Sequence, residues 1–151
     1  MPIWVDADAC PKVIREMLCR AGARSQTQLI FVSNHAIPLP LSPLIKTIRV
    51  QHGFDSADYR ITADISANEL LISQDIPLAA AVIAKGATVM TPRGELLTKD
   101  NIAERLTLRN LQQELRESGI AAGGPAPLDA RDKQKFGNTL DQWLQQQRSR
   151  L

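Results

Sequence analysis

The sequence predicts an α/β fold: a mostly parallel β-sheet with helices on both faces. Two observations predict it. Short apolar runs recur along the chain, continuous rather than alternating, as strands covered on both faces are. Segments with helical periodicity lie between them, so strand and helix candidates alternate from end to end.

The first run, Ile3-Trp4-Val5, is a strand. Residues 11 to 21 carry Val13, Ile14, Met17, Leu18 and Ala21 at helical spacing, with Pro11 in the first turn and Gly22 as the stop. Residues 28 to 32 form a second strand. Pro38, Pro40 and Pro43 then exclude helix interior and central strand alike. Residues 47 to 50 are a third strand, and Ser56 caps a helix to about Ile65. Residues 69 to 73 are a fourth strand, and Asp75 caps an Ala-rich helix that Gly86 ends. Residues 87 to 90 make a fifth strand before the turn Pro92-Arg93-Gly94. Thr98 caps a long helix over 99 to 118, with Ile102, Leu106, Leu108, Leu111 and Leu115 as its apolar side.

Residues 119 to 128 are a Gly/Pro-rich linker, the one break in composition. The domain therefore runs over 1–118, and 129–151 is a C-terminal helix that Asp129 caps. Its stripe of Phe136, Leu140, Trp143 and Leu144 is too narrow to stand alone. It docks on the body or, as a homo-oligomer contact, on another subunit.

At 151 residues, 44% apolar and 23% charged, the chain has the make-up of one ordinary globular domain. A net charge of +2 tolerates nucleic acid without demanding it. Cys10 and Cys19 lie too far apart for CxxC chemistry, which excludes a zinc site and a disulfide framework. No apolar run approaches the ~20 residues needed to span a bilayer, and no signal peptide is evident. The expected setting is cytoplasmic, with no membrane partner.

The polar residues fall where strands end. In parallel sheets ligands bind beyond the carboxyl ends of the strands. Asp6 and Asp8 follow the first strand, Asn34 and His35 the second, His52 the third and Asp75 the fourth. Asp55 and Asp58 flank the start of the next helix. If the backbone stays extended, Asp6 and Asp8 project to one side, and two such carboxylates repel unless a cation lies near. Carboxylates without cysteine suit a hard cation, Mg²⁺ or Mn²⁺. Such an ion polarises a phosphate and activates water, which points to phosphate-ester hydrolysis.

Asp55, Asp58 and Asp75 also have plain structural roles as caps or first-turn acids. Asp6 is harder to explain that way, because a carboxylate straight after a buried strand is costly to desolvate. Cys10 sits at a helix N-terminus, where a thiol pKa falls, but it has no base nearby in sequence, so packing or capping is its expected role. Asn34, Lys12 and Arg93 are the candidate phosphate- or substrate-binding residues.

Two stretches, Asp6-Ala7-Asp8-Ala9-Cys10-Pro11 and Ser73-Gln74-Asp75-Ile76-Pro77-Leu78-Ala79-Ala80, resemble the YaiI/YqxD family of bacterial proteins. Gly53-Phe54-Asp55-Ser56-Ala57-Asp58, Lys85-Gly86-Ala87 and Arg109-Asn110-Leu111 add to the resemblance, which covers nearly the whole chain. The chain departs from it at Asn68-Glu69, where Gly-Asp is usual. The family is grouped by resemblance with PIN-like nucleases, which implies a three-layer sandwich, an Mg²⁺ or Mn²⁺ site and RNA as a partner. By that resemblance Asp6, Asp58 and Asp75 hold the metal, with Asp58 standing where those proteins commonly have Glu. Asp55 is a further metal-site residue, and Asp8 a further catalytic one.

Two alternatives stand beside this. Asp6-Ala7-Asp8 behind an apolar strand resembles the Asp-x-Asp of haloacid-dehalogenase-type phosphatases, where the first Asp is a nucleophile and the second a general acid. A non-catalytic module that binds metal or a partner fits the same residues.

Overall fold

A computed structural model of the chain describes residues 1–51, 53, 56–119 and 127–149. Six strands form one sheet: β1 (Ile3–Asp6), β2 (Leu29–Ser33), β3 (Ile45–Arg49), β4 (Leu70–Ile72), β5 (Thr88–Met90) and β6 (Leu96–Leu97). Their order is β3-β2-β1-β4-β5-β6, parallel throughout except that β6 runs antiparallel to β5. The helices are α1 (Lys12–Ser25), α2 (Ser56–Asp64), α3 (Ile76–Ala84), α4 (Ile102–Glu117) and α5 (Ala130–Ser149).

Strand alternation sorts the core into two layers. Successive strand residues point to opposite faces. Ile3, Val5, Leu29, Phe31, Leu70 and Ile72 therefore go to one side, where they meet Ile14 and Leu18 of α1 and Phe136, Leu140 and Trp143 of α5. Trp4, Ile30, Val32, Leu71 and Val89 go to the other, against Ile61 of α2 and Leu78, Ala79 and Val82 of α3. The result is a three-layer α/β sandwich, as expected, with the central strands buried on both faces.

Several boundaries differ from the sequence expectation, each for a physical reason. Helix α1 does not stop at Gly22. It continues to Ser25 and ends at Gln26, which takes the left-handed conformation (φ 56°). Gly22 is instead where helix and strand approach closely: a Cβ there would lie 3.1 Å from Leu29 Cδ1 and from the Thr27 carbonyl oxygen. β3 begins at Ile45, earlier than expected, and its Lys46, Thr47 and Arg49 are exposed because it is the edge strand. β6 is only two residues long, too short for a periodic signal.

Thr98 is not the cap of α4. The helix starts at Ile102 after Asn101, whose Oδ1 accepts from the Thr98 amide (2.8 Å). Nor do the leucines of α4 form one apolar side. Ile102 and Leu106 pack on the body, whereas Leu108 and Leu111 are exposed. At about 100° per residue the two sets fall on opposite faces of the helix.

Helix α5 lies on the body with Phe136, Leu140, Trp143 and Leu144 buried. Its start is capped reciprocally: the Asp132 amide donates to Asp129 Oδ1 (2.9 Å), and the Asp129 amide donates to Asp132 Oδ2 (3.1 Å). Gly94 fixes where it docks. With φ +84° and the backbone of Lys135 and Phe136 within 2.6 Å of any Cβ, only glycine fits. The Thr139 hydroxyl donates to the Gly94 carbonyl (2.9 Å). Most of the linker, residues 120–126, lies outside the described residues.

Candidate functional site

The strand order reverses between β1 and β4: from β1 the chain builds outward through β2 and β3, then returns to build outward through β4 and β5. Adjacent crossovers that leave in opposite directions open a crevice at the carboxyl ends of the two strands. Asp6 is the last residue of β1, and Ser73 follows β4 directly.

Asp6 is 7% exposed. Ser73, itself buried, donates its hydroxyl to Asp6 Oδ2 (3.0 Å) and accepts from the Asp75 amide (3.0 Å). Asp75 in turn caps α3, its Oδ1 accepting from the Leu78 amide (3.1 Å). One hydroxyl thus ties the tip of β1 to the start of α3. Burial pushes the Asp6 carboxyl above its ordinary range. The Ser73 hydrogen bond pulls it back, and the nearby charges of Asp75 and Asp8 push it up again.

A cleft of about 200 Å³ opens at this point, and Asp6, Asn34, Ser56, Asp58 and Asp75 are among the residues that line it. Three separated acids of the sequence are therefore neighbours of one cavity, delivered by β1, α2 and the β4–α3 junction. No cationic side chain is among its described lining residues. Asp58 lies in the first turn of α2. Asp55 and His52 fall outside the described residues.

Asp8 takes a different course from the one its spacing suggested. The strand ends at Asp6, and Ala7–Ala9 form a 3₁₀ turn, so the two-residue alternation of a strand no longer applies. Asp8 turns to the end of β2, where Oδ2 accepts from the Asn34 amide (2.8 Å) and Oδ1 meets His35 Nδ1 (2.7 Å). It does not line the cleft. Lys12 is exposed on a separate groove of about 390 Å³ that it shares with Arg15, Cys19 and Leu39. Arg93 is engaged with Asp132 of α5 (2.6 Å). Cys10 is packed in the core, and its thiol is not lowered by the helix terminus: burial outweighs the nearby Arg15 and pushes it up to about 12.

Sequence reasoning assigned no role to Ser73. Its signal was a hydroxyl straight after a wholly apolar strand, which must find a buried partner. The pairing of Asp8 with His35 was equally silent, because it joins two strand tips across the sheet.

The donor set of the cleft is all oxygen, the chemistry that hard divalent cations prefer. Burial is the first cause of the raised Asp6 pKa, and the charges of Asp75 and Asp8 add to it; a cation beside Asp6 would act against all three. The set is not closed, however. Among the described residues no three His, Cys, Asp or Glu side chains are grouped so that they could hold a metal ion, Asp6, Asp58 and Asp75 included. Among them also, no helix is long and apolar enough to cross a membrane.

Comparison with known proteins identifies the lineage. The family model described as an uncharacterized, YaiI/YqxD family matches residues 4–146. A UPF0178 protein of Marinobacter nauticus is 55% identical over 145 residues, covering 96% of this chain and 97% of that one. The UPF0178 proteins of Psychromonas ingrahamii and Shewanella amazonensis are 52% and 54% identical, over 96% and 95% of this chain and 96% and 97% of theirs. No solved structure matches. The match from end to end, at this identity, makes the chain a member of the YaiI/YqxD family.

Proposed function

We propose that the cleft binds a divalent cation, Mg²⁺ or Mn²⁺, and hydrolyses a phosphodiester, with RNA as the substrate class. One observation carries the reading: Asp6, Asp58 and Asp75, from three separate elements, line a single cleft where the strand order reverses. RNA as substrate rests on the likeness of the sequence motifs to PIN-like nucleases.

When bound, the cation would supply Lewis-acid polarisation of the phosphate and a more acidic water. The residues of the chain do the rest. Asp6, Asp58 and Asp75 would supply the oxygen donors, although as they stand their side chains are not grouped to hold an ion. Ser73 holds Asp6 in one orientation and leaves Asp75 with a fixed backbone. Asn34, on the cleft wall, has its side-chain amide to offer a phosphate oxygen, its backbone amide being taken by Asp8. Lys12 and Arg93 stand outside the cleft and have no part in this arrangement. The phosphatase alternative needs both acids of Asp6-Ala7-Asp8 to face one phosphate, and Asp8 turned toward His35 does not support it.

Calorimetric titration with Mn²⁺ of the wild type, Asp6→Asn and Asp75→Asn tests the reading. Asparagine keeps the cap at 75 and the hydrogen bond at 6, so folding is preserved. Wild-type binding weakened at least about tenfold in both variants is expected, since a metal ligand is lost. Equal binding by all three removes the metal and the hydrolase reading together.

A further inference from the structure

The connection from β2 to β3 builds a groove separate from the cleft. Parallel neighbours are usually joined through a helix, but residues 34–44 hold none, and Pro38, Pro40 and Pro43 exclude one. Ile37 and Leu39 of this segment pack onto the core, while Pro38, Pro40 and Leu41 stay exposed. An extended segment is narrower than a helix, so one flank of α1 is left uncovered.

Two cavities open along that flank. One, of about 390 Å³, is lined by Lys12, Arg15, Glu16 and Leu39 among others. The next, of about 400 Å³, is lined by Ala23, Leu29, Leu41 and Leu44 among others. They share Cys19, Arg20 and Pro40, so they lie side by side as one groove. From Lys12 to Ala23 the helix rises about 17 Å, or roughly three turns.

Charge and the chemistry of the rim decide what fits there. Three cations, Lys12, Arg15 and Arg20, line the groove against one acid, Glu16. Lys12 and Arg20 are exposed, and neither is in an ion pair among the described residues. A second copy of the chain would bring this cationic rim against itself, which repels. A single-stranded nucleic acid would want aromatic faces for its bases, and no aromatic side chain is among the described lining residues. A small molecule would leave Leu41 bare, since that side chain stands wholly in solvent at the rim (105% exposed). An apolar floor and rim beside unpaired cations match a partner that carries both acids and apolar side chains. The prolines preform the wall, so little ordering opposes binding.

We propose that this groove docks an acidic, amphipathic segment of another protein. Its apolar side chains enter the two cavities, and its carboxylates meet Lys12, Arg15 and Arg20. The interaction is independent of the cleft and of any cation there.

A random dodecapeptide library, displayed on phage and selected on the full chain, supplies the probe. Enriched peptides are expected to combine Asp or Glu with Leu, Ile, Val, Met or Phe. The best of them, made synthetically, should bind with a Kd of about 1–100 µM by fluorescence anisotropy. Binding should slow alkylation of Cys19 by iodoacetamide, Cys10 being buried in the core. Lys12→Glu with Arg20→Glu, and separately Leu41→Ser, alter only exposed side chains. Each is expected to weaken binding at least about tenfold with circular dichroism unchanged. Arg15 is kept, because its guanidinium donates to the Cys10 carbonyl (2.8 Å). The same peptide with its acids changed to lysine should lose the wild type and bind the double variant, which a folding defect would not produce. No enrichment, enriched peptides without acids, binding that the variants leave intact, or full Cys19 reactivity in the complex overturns the proposal. A single-stranded oligoribonucleotide held through Lys12 and Arg20 with no peptide bound overturns it in favour of nucleic acid. A wild-type dimer in sedimentation that Leu41→Ser dissolves overturns it in favour of self-association.

Discussion

Ser73→Ala removes the hydroxyl that donates to the buried Asp6 carboxylate, and its cost should depend on pH. The Ser73 bond runs 3.0 Å to Asp6 Oδ2 between two residues that are both under a tenth exposed. A hydrogen bond to a charged, buried group is worth about 1.5–3 kcal/mol. The Asp75 amide also loses its acceptor, but Asp75 is half-buried at the cleft, where water replaces a lost partner cheaply. The total should be about 2–3 kcal/mol at neutral pH, or roughly 4–12 °C in Tm for a chain of this size.

Asp6 sets the sign of the pH dependence. Its folded pKa lies above the ordinary 3.8, so its contribution to stability is fully present below that value and is lost as pH rises through the folded pKa. The Ser73 bond limits that loss by stabilising the carboxylate. Without it the folded pKa climbs further, and the gap between variant and wild type opens as pH rises. Urea unfolding at about pH 7.5 and about pH 4 should therefore give a larger difference at the higher pH. In an Asp6→Asn background the Ser73→Ala cost should fall to that of a neutral bond, about 1 kcal/mol. The same cost at both pH values and in both backgrounds would refute the coupling.

Two further predictions concern the scaffold. Gly94→Ala should cost about 2–4 kcal/mol, because the new methyl overlaps the α5 backbone at a left-handed position; a red-shifted Trp143 emission and a lower urea midpoint would show α5 loosening, and an unchanged midpoint would contradict the docking geometry. Gln26→Gly should stabilise by about 0.5–1 kcal/mol, since it relieves a left-handed glutamine at the C-cap of α1; a lower Tm would mean that the side-chain bond to the Ala23 carbonyl matters more than the backbone relief.

The fold was legible because its signals are local. Continuous apolar runs, a Pro-rich gap and capping residues each act within a few positions, and the alternation they spell is that of the sandwich. What escaped was contact between distant segments. Gly22 reads as a helix stop until Leu29 is seen packed on it. Asn68-Glu69 reads as a mere turn until Asn68 is found at φ +69° and the Glu69 carboxylate accepting from both Trp4 Nε1 (3.2 Å) and the Ser66 amide (2.7 Å). At the candidate site, strand order alone decides which tips are neighbours. The sequence marked Asp6, Asp58 and Asp75 as acids near strand ends, but the reversal between β1 and β4 brings them to one cleft. Asp8 went the other way because a 3₁₀ turn replaced the extended backbone its spacing assumed.

The acids of this edge do not weigh equally as evidence of function. Asp75 caps α3, and Asp8 is satisfied by the Asn34 amide and His35, so each would be retained by a fold with no chemistry to perform. Asp6 has no such excuse. Its carboxylate accepts from a neutral hydroxyl, a bond that an asparagine oxygen would accept as well without the cost of burying a charge. The surroundings make that charge worse, since burial and two neighbouring carboxylates all act against it. A stability-neutral chain would shed the charge at this position and keep the shape. An acid held at the tip of β1 against all three pressures is what the proposed cation would account for, and this is why Asp6→Asn is the substitution that best separates folding from the proposed function.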